Sequence, residues 1–498
     1  MSVRRKIRRR PRTGERGVAL ILVLGSITLL TVFLTQLQEE TSSELAAALA
    51  ERDSLKAEYF ARSAVNLSRL LIATEPEIRK TVAPIFLLLG QKGGPPQIPV
   101  WEFTDLVLGP FNDSVGSQSF LATIGGDPLT AKNIGIVGGG RFEVTIVDED
   151  AKVNLNIPVH DSYENGPSSE RLGQLLLGLF TPQGDNTLFE GRDGDNQFSD
   201  RQTICSALVD WVTSDSSGNE KTYPCQPYSS TNAGSGAKDN FYQTVGLPYL
   251  RKNAAFDSLE EVRLVRGMSD DFWATFVDPE PQNPKKRVMS VWGQEAININ
   301  AANAQTLWAI ACGAAPTAEI CSDPLQAAAF LQIVTMGKSM TMGMPLFGSP
   351  KDFLDMLAGK GPIGSLLGGP PFNVKPIVVK DPKGLMKTLR TNSKRFSIYA
   401  DGIVPGYKRT TKARIHAVID FREAGTVGAM GSVVVGGGQA AASAATAQAA
   451  PTVQGGTAGA GATAAGSSSS SAQPLTADNI LAAMNANTAG TVIYWRVE

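Results

Sequence analysis

Histidine is nearly missing from this chain: His160 and His416 are the only two in 498 residues. So little imidazole argues against a histidine metal site and leaves a Ser/His/Asp arrangement two places to draw on. No serine stands in a G-x-S-x-G setting, and Gly138-Gly139-Gly140 lacks the spacing and the following lysine of a phosphate loop. Four cysteines are present, none in C-x-x-C spacing, which speaks against zinc. No enzyme emerges from these shortages. Charge is missing altogether from two stretches, Gly17 to Gln38 and Ala424 to Ala477. The first is apolar and the second is Gly, Ala, Ser and Thr, and they mean different things.

The apolar stretch is long enough to cross a bilayer core as a helix of roughly 30 Å. Ahead of it lies a leader with eight basic residues, from Arg4 to Arg16, against the single acid Glu15. Such a flank stays on the cytoplasmic side and sends the remainder across the membrane. A secretory signal would place small residues after the apolar core, whereas here Gly17 precedes it. The whole chain has a formal net charge of −1, so everything beyond the basic leader is acidic, which opposes a nucleic-acid partner. At 42% hydrophobic, there is material for a core and for two or three domains.

From Glu39 to about Thr74 the chain has no Gly or Pro and is rich in Ala, Leu, Glu and Arg. Leu45, Leu49, Leu55, Tyr59, Phe60, Ala64, Leu67 and Leu71 give one apolar face, so the spacing predicts one continuous helix from Val18 to Thr74. Arg141 to Val147 alternates as a half-buried strand and runs into Asp148-Glu149-Asp150-Ala151-Lys152-Val153-Asn154-Leu155-Asn156. A related phrase, Glu295-Ala296-Ile297-Asn298-Ile299-Asn300, follows much later. Each copy is expected to close a strand and open a helix through an asparagine cap. Ser258 and Glu261 form an S-x-x-E capping box, and Ser349 with Pro350 starts a helix to Ala358. Further strands are expected at Arg395–Ala400, Ala413–Phe421 and Thr491–Arg496.

The Arg16-Gly17-Val18 junction resembles the type III signal of type IV pilins and type II secretion pseudopilins, and the helical stretch Ala57-Glu58-Tyr59-Phe60-Ala61-Arg62-Ser63-Ala64 resembles the same family. The resemblance implies cleavage after Gly17 by a prepilin peptidase and methylation of Val18. It also implies a Glu at the fifth mature position, where this chain has Leu22. That absence is typical of the K-type minor pseudopilin. Leu208-Val209-Asp210-Trp211, Asp239-Asn240-Phe241-Tyr242, Pro248 to Asn253 and Phe256 to Val262 resemble that family in consistent order over residues 17 to 422.

The resemblance implies an α+β fold, a pilin-like long N-terminal helix packed on an antiparallel sheet with a helical domain inserted. The expected divisions are leader 1–17, membrane helix 18–38, spine and first part of the head 39–157, inserted helical domain 158–290, and rest of the head 291–422. A low-complexity flexible insertion at 423–477 and a final strand segment at 478–498 complete them. Function would be structural: a tip subunit in the inner membrane, single-pass, with its bulk in the periplasm, initiating assembly for export across the outer membrane. Its partners would be the I- and J-type minor pseudopilins, the major pseudopilin and the prepilin peptidase. A membrane-anchored periplasmic binding protein or a type IV pilus minor pilin is the alternative. The family also implies calcium in its helical insertion. Asp210, Asp215, Glu220 and Asp239, with Asn219 and Asn240, offer oxygen ligands, although Thr213 stands where the family has a second Asp and no EF-hand spacing is present; a solvated polar loop is the alternative. In an oxidising compartment Cys205 with Cys225 and Cys312 with Cys321 would close short loops, the alternative being four buried thiols.

Overall fold

A computed structural model describes residues 15–88, 95–112, 139–160, 167–181, 187–192, 198–213, 225, 239–341, 344–406, 409–424 and 489–498. Helix α1 spans Glu15–Leu88, about 110 Å at the usual rise. It passes the expected end at Thr74 and continues through Pro76 and Pro84. Proline in a helix interior costs about 3 kcal/mol. Here tertiary packing overrides that cost, because Ile72, Ala73 and Glu75 are buried and the Glu75 carboxylate accepts from Ile98 N at 2.9 Å.

The sheet behind α1 is antiparallel, in the order β1 (Arg141–Asp148), β6 (Arg395–Pro405), β7 (Thr410–Asp420) and β8 (Thr491–Val497). Alternation decides its faces: Phe142, Ile146, Phe396, Ile398, Ala400, Ile415, Ala417 and Ile419 share one core with Ala61, Ala64 and Val65 of α1. Small residues set the approach. A side chain at Gly402 would collide with the Ala57 carbonyl. Both strands expected at 395–400 and 413–421 are longer than their alternating cores suggest.

Between β1 and β6 lies the helical insertion, and it is larger than expected. Strands β2 (Val153–Asn154) and β3 (Met289–Ser290) pair in parallel, as do β4 (Ile297–Asn298) and β5 (Leu389–Arg390). Residues from Val153 to Leu389 fill a single apolar core. The expected boundary at 290 is therefore corrected: the helical insertion runs on to Arg390, and 391–422 returns to the sheet. Its two halves repeat one plan. The Asn156 side chain brackets Phe256, accepting from its N–H at 2.8 Å and donating to its carbonyl at 3.0 Å. Asn300 does the same to Phe347, at 2.8 and 2.9 Å. A carboxamide can do so because it carries donor and acceptor side by side, as a peptide does.

These asparagines brace loops instead of capping helices, which corrects the expected caps. The cap of the helix Ala304–Ala314 is Asn303, whose Oδ1 accepts from Thr306 N at 2.7 Å. That helix crosses Pro167–Leu179 at Gly178 and Gly313, where a side chain on either would strike the other backbone. The Ser258 box is likewise altered. Leu259–Leu264 is a 3₁₀ helix, and Glu261 accepts from Asp257 N at 2.9 Å. At Pro350–Leu357 the expected start holds, with Ser349 N donating to Asp352 at 2.9 Å.

Candidate functional site

Gly17, Val18 and Leu22 lie in the first turns of α1, all exposed. From Val18 to Leu37 the large apolar side chains stand in the open, none of them against the head. One helix among the described residues is long and apolar enough to cross a membrane, and this stretch is its apolar part. The basic leader up to Gly14 lies outside the described residues, as does most of the uncharged 424–477 stretch.

Both cysteine pairs are joined. Cys205–Cys225 and Cys312–Cys321 have Cα–Cα distances of 5.8 and 5.7 Å. Cys205 sits on the helix Arg201–Val212, which Asp200 caps through Thr203 N at 2.8 Å. Cys312 lies in the last turn of the helix Ala304–Ala314, where the Trp308 indole donates to Ile320 O at 3.1 Å. All four sulfurs belong to buried residues, so the staples tie turns to the core.

Of the four acids proposed for calcium, Asp215 and Glu220 lie outside the described residues. Asp210 is fully buried on Arg201–Val212 and Asp239 opens the helix Asp239–Val245. Arg251 connects them: its Nε is 3.5 Å from Asp239 Oδ1, and its Nη1 donates to the Asp210 carbonyl at 3.4 Å. Among the described residues no three His, Cys, Asp or Glu side chains converge. Calcium takes six to eight oxygens, so the described donors alone do not make its site, and the Arg251 guanidinium already faces the Asp239 carboxylate.

The strongest polar cluster escaped the sequence reading. Residues Asp148 to Lys152 form a buried turn joining sheet to insertion. Asp150 accepts from Gln294 N at 2.8 Å, Gln294 Nε2 at 2.6 Å and Lys394 N at 2.7 Å. Asp148 accepts from the Ser393 hydroxyl at 2.5 Å, and that hydroxyl accepts from Asn298 at 2.7 Å. Burial, with the Asp150 charge beside it, pushes Asp148 well above the usual carboxylate range. For Glu149 burial acts upward, but Lys152 at 3.3 Å and the Ser290 hydroxyl hold its carboxyl below that range. One turn thus fixes β6 and both halves of the insertion in mutual register. The signal was visible as D-E-D-A-K directly after an alternating strand, where a turn should be exposed.

Beside this turn His416 stacks on Tyr399, ring centroids 4.1 Å apart. Burial, aided by Arg287, pulls its imidazole down to about 4, while Glu149 pulls the other way. It lines a cavity of about 180 Å³ with Glu149, Lys152, Arg287 and Tyr494. This residue reads as a neutral packing element of the sheet–insertion seam.

One comparison with known proteins falls on the insertion. A family model described as type II secretion system (T2SS), protein K, matches residues 151–276, the first half built on Asn156 and Phe256. No curated protein matches the chain. Among solved structures, a chain of the GspK–GspI–GspJ complex from the enterotoxigenic Escherichia coli Type 2 Secretion System is similar at 16% identity. The match covers 57% of this chain and 76% of that one, with a TM-score of 0.33. Residues 151–276 thus match the protein K model of the type II secretion system, the family to which the sequence motifs pointed.

Proposed function

We propose that this chain is a K-type minor pseudopilin, a structural subunit at the tip of a type II secretion pseudopilus. It is anchored by α1 in the inner membrane with its head in the periplasm. The observation that carries this reading is the protein K match at 151–276, inserted between strands of a sheet that packs on a membrane-length helix. The buried polar groups support a scaffold over an enzyme, since the carboxylates of the Asp148–Lys152 turn are taken up by backbone amides, serine hydroxyls and Lys152 within the fold. The I- and J-type minor pseudopilins and the major pseudopilin are its proposed partners, and the prepilin peptidase its processing enzyme.

The test is the mature terminus and the secretion phenotype together. Intact mass of membrane-purified protein should give a chain beginning at methylated Val18, and deletion should abolish export of a secreted reporter. An uncut Met1, or a start beyond Glu39, would reject the pilin-like reading.

A further inference from the structure

Two bodies of apolar packing meet at the outer face of the sheet. The sheet shares one core with α1, and the insertion encloses another. Between them, beside the Asp148–Lys152 turn, lies the cavity of about 180 Å³. Polar contact across it is thin. Arg287 of the insertion donates to the Tyr399 hydroxyl at 3.3 Å, a long hydrogen bond, and to Asp278 of the insertion itself at 3.0 Å. Its Nε is buried and meets no partner among the described residues.

Rings do the joining. Tyr399 on β6, His416 on β7, Tyr494 on β8 and Trp292 of the insertion follow one another, with centroids 4.1, 5.1 and 5.0 Å apart. Of these four only His416 changes charge near neutral pH, and its Nε2 is buried without a partner among the described residues. Charged and titratable groups face it from each neighbouring element. The turn gives Glu149 and Lys152, the insertion Glu260 and Arg287, β6 Tyr399, its own strand Arg414, and β8 Tyr494, Arg496 and Glu498. Most are already committed. Lys152 meets Glu149 at 3.3 Å, Arg287 meets Asp278 at 3.0 Å, Arg414 meets Asp401 at 2.7 Å and Arg496 meets Glu498 at 3.2 Å. Glu260, the lining acid outside these pairs, stands in water.

We propose that this seam is an acid-released latch: protonation of His416 parts Trp292 from Tyr494 and lets the insertion lift off the sheet, hinged at Asp150, while both cores stay folded. Asp150 suits a hinge because it accepts from Gln294 N and Lys394 N, one at the end of each half of the insertion. Opening supplies the hydration that an imidazolium needs and the closed seam withholds. Closed, burial and the Arg287 charge hold the ring at about 4; in water it titrates at about 6.5. The open form therefore takes the proton first, and the ratio of open to closed rises about 20-fold from pH 7 to pH 5.

Met289 reads the opening, since it lines the cavity and is fully buried. Peroxide turns a methionine it can reach into the sulfoxide. The full chain in detergent is treated with dilute peroxide at pH 7, 6 and 5, and sulfoxide is counted peptide by peptide in a mass spectrometer. Each rate is divided by that of Met340, which is 73% exposed, so that the chemistry of the oxidant cancels. The Met289 rate should rise about 20-fold between pH 7 and pH 5, while Met356, 2% exposed in the core of the insertion, keeps its rate. In His416→Phe the Met289 rate should stay at its pH 7 value. Should that variant not fold, His416→Gln, uncharged at every pH used, takes its place with the same expectation. A flat Met289 rate, a Met356 rate that climbs with it, or an equal rise in the uncharged variant would overturn the proposal.

Discussion

Leu22 is a residue whose importance lies in what it cannot do. A carboxylate at a membrane-helix centre costs about 2.5–3.5 kcal/mol on insertion scales unless paired, and Leu22 stands exposed on α1 with no charge to offer. If the chain is cut after Gly17 as proposed, and neighbouring subunits pair a terminal amine with a fifth-position Glu, this chain offers the amine at Val18 but no acid at Leu22. Immunogold labelling should therefore find this chain at filament ends, and Leu22→Glu should spread label along the shaft. Label along the whole shaft in the unaltered protein would sink the tip assignment. His416 permits a second test at this scale. Its folded pKa of about 4 lies below the ordinary histidine value, so the unfolded chain binds the extra proton first. Stability is full above about pH 6.5 and is lost as pH falls toward 4. Melting curves of the protein between pH 7 and 4.5 should show that loss, and His416→Phe, which keeps the ring on Tyr399, should flatten it. Equal slopes in both proteins would assign the acid sensitivity elsewhere, Asp148 to Lys152 being the nearest groups.

For single elements, what could be read from sequence followed how local the cause was. The Ser349–Pro350 helix start needs only neighbours in the chain, and it forms as read. The run Thr491–Val497 carries its β-branched and aromatic content on its face, and it joins the sheet. The end of α1 lies beyond the expected Thr74 because burial of Ile72 and Glu75, not local propensity, carries the helix past Pro76. The paired Asn phrases are visible in the sequence, but their work is not: Asn156 and Asn300 each reach a phenylalanine backbone far along the chain, at Phe256 and Phe347. No spacing rule encodes that reach, and with it the extent of the insertion to Arg390 was hidden. The Asp148–Lys152 turn was hidden for the same reason, since Gln294 and Lys394 approach it only in the fold.

Two predictions belong to the insertion. Replacing Cys312 and Cys321 together with alanine should cost about 2–3 kcal/mol in the chain-entropy model for so short a loop. Denaturant melts under oxidising conditions would measure it, and an unchanged midpoint would mean that packing of Ile320 and Trp308 holds the loop unaided. We also propose that calcium reaches this insertion through the acids after Asp210, with Arg251 as its competitor. A ligand of the folded state raises the melting temperature when well above its dissociation constant, so calcium and chelator scans should differ, and more so in Arg251→Gln. Coincident curves in both proteins, with no metal by elemental analysis, would remove calcium from the account.

At the scale of the whole molecule, α1 between the membrane stretch and the head has a mechanical consequence. Leu37 belongs to the open apolar run and Asp53 is the first buried side chain, with unbroken helix between them. That bare interval is roughly 24 Å long at the helical rise. A rod of this kind is both a ruler and a compass: it sets the altitude of the head and the direction in which it faces. Adding one alanine near Ala47 would lift the head by about 1.5 Å but swing it by about 100°. Adding seven would lift it by about 10 Å and return it to within about 20° of its bearing. If one face of the head must meet a neighbour, export should fail with one added residue and recover in part with seven. Failure graded by length alone would show that altitude, not bearing, is what the rod conveys.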